Sequence, residues 1–121
     1  MTVVQPRGRK YGGTLCMSPE GVLFDSQAER QRAWTLQQLL VAGSIEWWSY
    51  GPRYVLCEAY VTPAGKRVAA VTYRPDFVVR EKGVTRVEDV KGKATREFFL
   101  KAKLWGSRYP DVELRIVSST R

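Results

Sequence analysis

The chain contains no histidine. That single absence excludes a Ser-His-Asp triad, a histidine-bearing zinc centre and any hydrolase whose general base is an imidazole. Cysteine is almost as scarce: Cys16 and Cys57 stand 41 residues apart, which is no CxxC spacing, and two thiols alone cannot close a structural zinc site. Both read as reduced, buried small hydrophobes, with a disulfide as the alternative. Long apolar runs are also missing. Nothing approaches the ~18 apolar residues of a membrane span, and Met1 to Gly13 lacks the apolar stretch of a signal peptide. The expectation is a soluble intracellular protein that does not engage a membrane.

Acidic residues are in short supply relative to basic ones. Twelve Asp and Glu face twenty Lys and Arg, giving a net charge of +8. An excess of this size favours a polyanionic partner, nucleic acid first. The 44% apolar and 26% charged content is that of a packed chain rather than a disordered one, and 121 residues is the size of one core. The reading is a Gly-rich basic arm over 1–13, with Arg7, Arg9 and Lys10, followed by one domain over 14–121. The arm serves either as a DNA contact or simply as a frayed charged terminus.

Hydrophobic spacing then divides the domain. Gly21 to Phe24 reads as extended, and Asp25 or Ser26 caps a helix running to about Ala42, where Gly43 stops it. Ala33, Leu36, Leu39 and Leu40 form its apolar stripe, with Arg30, Arg32, Gln37 and Gln38 on the other side. Ile45 to Tyr50 is aromatic-rich. Arg53 to Val61, Arg67 to Val79 and Gly83 to Lys91 read as strands, the first two joined by the turn Thr62-Pro63-Ala64-Gly65 and the last two by a connection centred on Glu81-Lys82-Gly83. Thr95 to Tyr109 reads as a second helix with Phe98, Phe99, Ala102 and Trp105 inward, and Glu113 to Val117 as a final strand. This is a mixed α/β fold around a single sheet.

Side chains alternate along strands, so Asp89 and Lys91 share one face while Glu88 points to the other. With a hairpin loop of two residues (Glu81, Lys82) or four (Glu81 to Val84), Asp76 comes opposite Val87 or Asp89, and either register puts Asp76, Asp89 and Lys91 on one face. Two readings of that trio stand: a structural ion pair, or a carboxylate pair that holds a hard divalent cation for phosphodiester cleavage, with the lysine beside the attacking water. Glu29 divides the same way. Ser26-x-x-Glu29 is a capping-box pattern, yet Glu29 also falls in line with Ala33, Leu36 and Leu40 at the margin of the packed face.

Pro75-Asp76, twelve intervening residues and Asp89-Val90-Lys91 together resemble the PD-(D/E)XK nuclease superfamily, with Glu29 similar to its upstream helical glutamate. The chain further resembles phage Holliday-junction resolvases of the endonuclease I type and a related phage and prophage family of unknown function. That likeness runs from Lys10-Tyr11-Gly12 through Phe24-Asp25-Ser26, Tyr73-Arg74-Pro75-Asp76-Phe77 and Val87-Glu88-Asp89-Val90-Lys91-Gly92 to Leu114-Arg115-Ile116-Val117. It implies a restriction-endonuclease-like domain in which Asp76, Asp89, the Val90 carbonyl and Glu29 bind Mg²⁺ or Mn²⁺ and Lys91 serves the attacking water. It also implies a homodimer acting on branched DNA in a bacterial cytoplasm. One departure is Asp89, where the endonuclease I pattern has a glutamate, one methylene longer. Lys93, Arg96, Lys101 and Lys103, on or beside the second helix, and Arg74 are the expected DNA contacts, read alternatively as solvated surface charges. Trp47, Trp48 and Tyr50 are read as core or dimer-seam aromatics, with base stacking as the alternative.

Overall fold

A computed structural model describes residues 16–17 and 23–119. The first helix, α1, spans Gln27–Val41 and begins where Ser26 Oγ accepts the Glu29 N–H at 3.1 Å, satisfying one donor that the first turn leaves open. It ends at Ala42, after which Gly43 takes a φ of +78°, a conformation only glycine reaches without strain. Ahead of it, β1 (Cys16–Met17) pairs antiparallel with β2 (Leu23–Phe24).

The central sheet has four strands. They are β3 (Trp47–Tyr50), β8 (Phe77–Glu81), β9 (Val84–Lys91) and β10 (Glu113–Ser118), in the order β10-β9-β8-β3, reached after the intervening β4 (Tyr54–Cys57), β5 (Tyr60–Val61), β6 (Arg67–Val68) and β7 (Val71–Tyr73). Strand β10 runs parallel to β9 and the other neighbours are antiparallel. A parallel neighbour cannot be reached by a tight turn. The connection is α2 (Arg96–Arg108), capped by Thr95, whose side chain accepts the Phe98 N–H at 3.1 Å.

The sheet separates two cores. Phe77 and Val79 meet α1 with Phe24, Ala33, Leu36, Ile45 and Tyr50, whereas Val78 and Val87 meet α2 with Tyr54, Leu56, Tyr73, Phe98 and Trp105. Burying a side chain such as Val78 or Val87 contributes roughly 1.5–3 kcal/mol. Among the described residues no helix is long and apolar enough to cross a membrane.

Several expectations need correction. The strand expected over Arg53 to Val61 is broken at Glu58-Ala59, and the one over Arg67 to Val79 is broken twice, because Arg74-Pro75-Asp76 leaves the ladder and proline lacks the N–H that pairing requires. The central mixed sheet flanked by helices is as expected, and three two-stranded pairs accompany it. Phe99 is 56% exposed, since the inward stripe of α2 runs Phe98, Ala102 and Trp105, and position 99 lies a quarter-turn away. Cys57 is a free, exposed thiol rather than a buried one. Arg32 does not stay on the polar side of α1: its long side chain swings to the sheet and binds Glu88. The basic arm over 1–13, including Arg7, Arg9 and Lys10, lies outside the described residues.

Candidate metal and nucleic-acid site

The hairpin between β8 and β9 fixes the register of the site. Lys82 and Gly83 have φ of +52° and +76°, the pair of left-handed conformations of a type I′ turn, and the ladder closes with Glu81 opposite Val84. Phe77 therefore lies opposite Glu88, and extending that register one residue past the end of the ladder brings Asp76 to the level of Asp89. The register is the one expected of a four-residue loop, but the turn itself is the two residues Lys82 and Gly83, because Glu81 and Val84 pair. Asp76, Asp89 and Lys91 share the α2 face with Val78 and Val87, and Glu88 takes the other face.

Asp76 and Asp89 are each only 1% exposed. Burial makes an ionised carboxylate costly unless it is matched by donors or cations. Asp76 Oδ2 accepts the Val90 N–H at 2.6 Å, and its main-chain carbonyl accepts the Gly51 N–H at 2.7 Å. Asp89 Oδ2 accepts the Tyr73 hydroxyl and lies 3.8 Å from Lys91 Nζ. The Lys91 ammonium sits 4.6 Å from the Phe98 ring centroid, a cation–π contact that directs the chain as α2 begins. Tyr73 and Phe98 are the positioning groups that spacing did not reveal. Only the ring contacts and the hydroxyl bond, made across the fold, expose their part.

The main chain at Val90 adds a further oxygen on the same side. Lys91 turns its carbonyl toward β10, where it accepts the Ser119 N–H at 3.2 Å. Successive residues alternate in the direction of their N–H and C=O. The Val90 N–H accordingly points to Asp76, and by the same alternation its carbonyl faces the β8 side. The donor set is two carboxylates and one carbonyl, all hard oxygens. Among the described residues no three Cys, Asp or Glu side chains gather closely enough to hold a metal ion. A magnesium ion does not require such a cage, because it is usually bound through one or two carboxylates and keeps several waters. The residues fit that kind of cation.

Glu29 is placed on α1, against the opposite core. Its carboxylate accepts the Tyr50 hydroxyl at 2.7 Å and the Ser26 hydroxyl at 3.4 Å. Tyr50 also accepts the Asp25 N–H at 3.2 Å, and burial, reinforced by Glu29, pushes its phenol far above the usual range, so it stays a donor. The structure thus brings Asp76, Asp89 and Lys91 together and sets Glu29 with Tyr50 and Asp25.

Glu88, next to Asp89 in sequence, has a different environment. It is fully buried, bound at both oxygens by Arg32 (2.8 and 2.9 Å) and by Arg86 Nε at 2.9 Å. Arg86 in turn holds Glu81 at 2.7 Å. Burial opposes the Glu88 charge, but the two guanidiniums outweigh it and hold its carboxyl below the usual range. The chain ties α1 to the sheet and is structural.

Of the expected DNA contacts, Lys93, Arg96 and Lys103 are exposed at the start and along the outside of α2. Lys101 is half-buried, 3.5 Å from Glu97 and 5.9 Å from the Tyr73 ring centroid. Arg74 is buried, apart from the exposed basic residues of α2. Residues 9–121 match the family described as a protein of unknown function, DUF1064. The chain belongs to that family. No curated protein and no solved structure matches it. The family match takes in every group of the site just described, from Glu29 to Lys91.

Proposed function

We propose that this DUF1064 protein is a metal-dependent DNA endonuclease that resolves branched DNA such as Holliday junctions, working as a homodimer. The observation that carries the reading is the buried Asp76–Asp89 pair with Lys91 beside it, at the point where the basic helix α2 begins. Two buried acids held in register are difficult to explain by fold stability alone, because apolar residues would fill the same space without a desolvation cost. The order of these groups agrees with the PD-(D/E)XK pattern that the sequence resembles, and the helix–sheet–helix layering agrees with a restriction-endonuclease-like domain.

In this reading Asp76, Asp89 and the Val90 carbonyl hold Mg²⁺ or Mn²⁺. The bound ion supplies Lewis acidity at the phosphoryl oxygen. Tyr73 fixes the orientation of Asp89 through its hydroxyl, so the carboxylate need not reorganise when substrate arrives. Lys91, steered by Phe98, presents an ammonium to the attacking water and to the charge that develops on the phosphate. Glu29, held by Tyr50 on the α1 side of the sheet, would reach the ion through water, the role that the resemblance implies for it. Lys93, Arg96 and Lys103 neutralise the phosphates that flank the scissile one. Two such chains would present two sites at a fixed separation to a near-symmetric junction.

A second reading is a non-catalytic DNA-binding protein on the same fold. Asp76 favours it in one respect, since its bond to the Val90 N–H replaces a ladder contact where Pro75 interrupts pairing. Incubation of the protein with a four-way junction, a matched duplex and single-stranded DNA, each with Mg²⁺ and with EDTA, separates the two. The nuclease reading expects Mg²⁺-dependent cleavage with preference for the junction. Equal cleavage of junction and duplex leaves a simpler nuclease, and binding without cleavage in any metal supports the second reading.

A further inference from the structure

Strands β4 to β7 make two antiparallel pairs, β4 with β7 and β5 with β6, that follow one another along a single hairpin. Tyr54 pairs with Tyr73 and Val55 with Thr72; after a bulge at Leu56, Cys57 pairs with Val71, and past an unpaired step Tyr60 pairs with Val68 and Val61 with Arg67 in the same register. Its tip is a three-residue connection in which Thr62 N–H donates to Lys66 O and Gly65 N–H to Thr62 O, both at 2.8 Å, with Gly65 at a φ of +85°. The root is anchored. Tyr54 and Tyr73 are buried, Tyr109 hydroxyl donates to Val55 O at 2.7 Å, and Arg108 holds Glu58 at 2.6 Å.

Beyond that root the ribbon is bare on both sides. Tyr60 is 54% exposed and Val61 62%, and of residues 57–72 only Thr62 and Val68 are even half-buried. Alternation puts Cys57, Ala59, Val61, Arg67, Ala69 and Val71 on one face and Tyr60, Thr62, Lys66 and Val68 on the other. A two-stranded ribbon with neither face covered is marginal on its own in water, so its exposure calls for a partner. The charge selects the partner. From Ala59 to Pro75 there is no acidic residue, and Lys66 and Arg67 at the tip have no carboxylate within ion-pair distance among the described residues. Two copies joined through this ribbon would set uncompensated cations against one another, with Glu58 already neutralised by Arg108. A polyanion faces no such penalty. The strands stand ~4.8 Å apart, and a two-stranded ribbon enters the ~12 Å major groove of B-form DNA.

We propose that the ribbon over 57–72 is a DNA-binding arm that enters a groove beside the Asp76–Asp89 site, with Lys66 and Arg67 on the phosphates. Tyr73, at its root, donates to Asp89, which ties the root of the arm to the buried site. The inference rests on the proposed function only for its choice of DNA as the polyanion. The test is binding of labelled duplex and four-way junction in EDTA, across a salt series, by the wild-type chain, by Lys66→Ala/Arg67→Ala and by an Arg80→Gln control at the far end of β8. The double variant should lower the magnitude of the log K against log salt slope by about 1.8, two phosphate contacts at ~0.9 each, with the circular dichroism unchanged and the control near wild type. An unaltered slope and affinity would overturn the proposal. So would a double variant that binds DNA normally but loses self-association by light scattering, which would make the ribbon a contact between copies. A protein that loses DNA through these substitutions yet never cleaves it sustains the arm and refutes the nuclease; one that cleaves with ribbon-independent binding does the reverse.

Discussion

Replacing Glu88 by Gln tests whether neighbouring acids have separate tasks. The substitution keeps the volume and one acceptor oxygen but removes the anion that Arg32 and Arg86 share inside the sheet. Breaking a buried ion pair typically costs 3–5 kcal/mol, because the remaining charge has lost its partner without regaining water. Two features place this case at the lower end. Arg32 keeps 19% exposure and can rehydrate in part, and Arg86 retains Glu81 at 2.7 Å. The expected loss is therefore about 3 kcal/mol by urea unfolding, or a fall in Tm of roughly 12 °C for a chain of this size. The same network sets a pH dependence. The folded carboxyl titrates below the usual 4.5, so its stabilisation is present above that pH and disappears as pH falls through the lowered folded value. The wild type should lose stability on acidification below about pH 4.5 more steeply than Glu88→Gln. A loss under ~1 kcal/mol with an unchanged m-value would refute the reasoning, since it would mean that the buried network carries no more than an exposed pair.

Further consequences concern the groups around the site. Glu29→Gln leaves the N-cap bond from its main-chain N–H to Ser26 in place, so stability should fall by less than ~1 kcal/mol while cleavage falls much further; unchanged cleavage with a full cap-sized loss would make Glu29 a structural residue. Tyr54 is fully buried with a hydroxyl that meets no hydrogen-bond partner among the described residues, and burial pushes its phenol up to about 12. Tyr54→Phe should leave Tm unchanged or raised, because it deletes an unmatched polar group; a loss above ~1 kcal/mol in thermal unfolding would contradict that assignment.

Local chemistry explains why parts of this architecture were legible in the sequence. Ser26 and Thr95 cap their helices as their residue type demands, and strand parity alone set Asp76, Asp89 and Lys91 on one face and Glu88 on the other. The type I′ turn at Lys82-Gly83 then selected between the two registers that parity allowed. What stayed hidden depends on distant contacts. Arg32 reads as a solvent-side residue until Glu88, 56 positions away, is seen beneath it. Tyr73 and Phe98 act through a hydroxyl and a ring face whose targets come from other elements. Arg74 lies in a segment that leaves the ladder, so alternation no longer predicts its exposure. The ribbon escaped because an alternating apolar pattern in Arg53 to Val61 reads as a half-buried strand, whereas past the register shift at Leu56 residues 57–61 are exposed on both faces.

The central claim concerns Asp76 and Asp89, and the most direct measurement is single-turnover cleavage of a four-way junction in Mg²⁺ by the wild type, Asp76→Asn and Asp89→Asn at equal junction occupancy. Asparagine keeps the shape and an acceptor oxygen for the Val90 N–H or the Tyr73 hydroxyl, so folding and junction binding should persist. The charge that a hard cation requires is lost. The wild type should cleave and neither variant should cleave detectably; turnover retained in either variant would rule out Asp76 and Asp89 as the metal-binding pair.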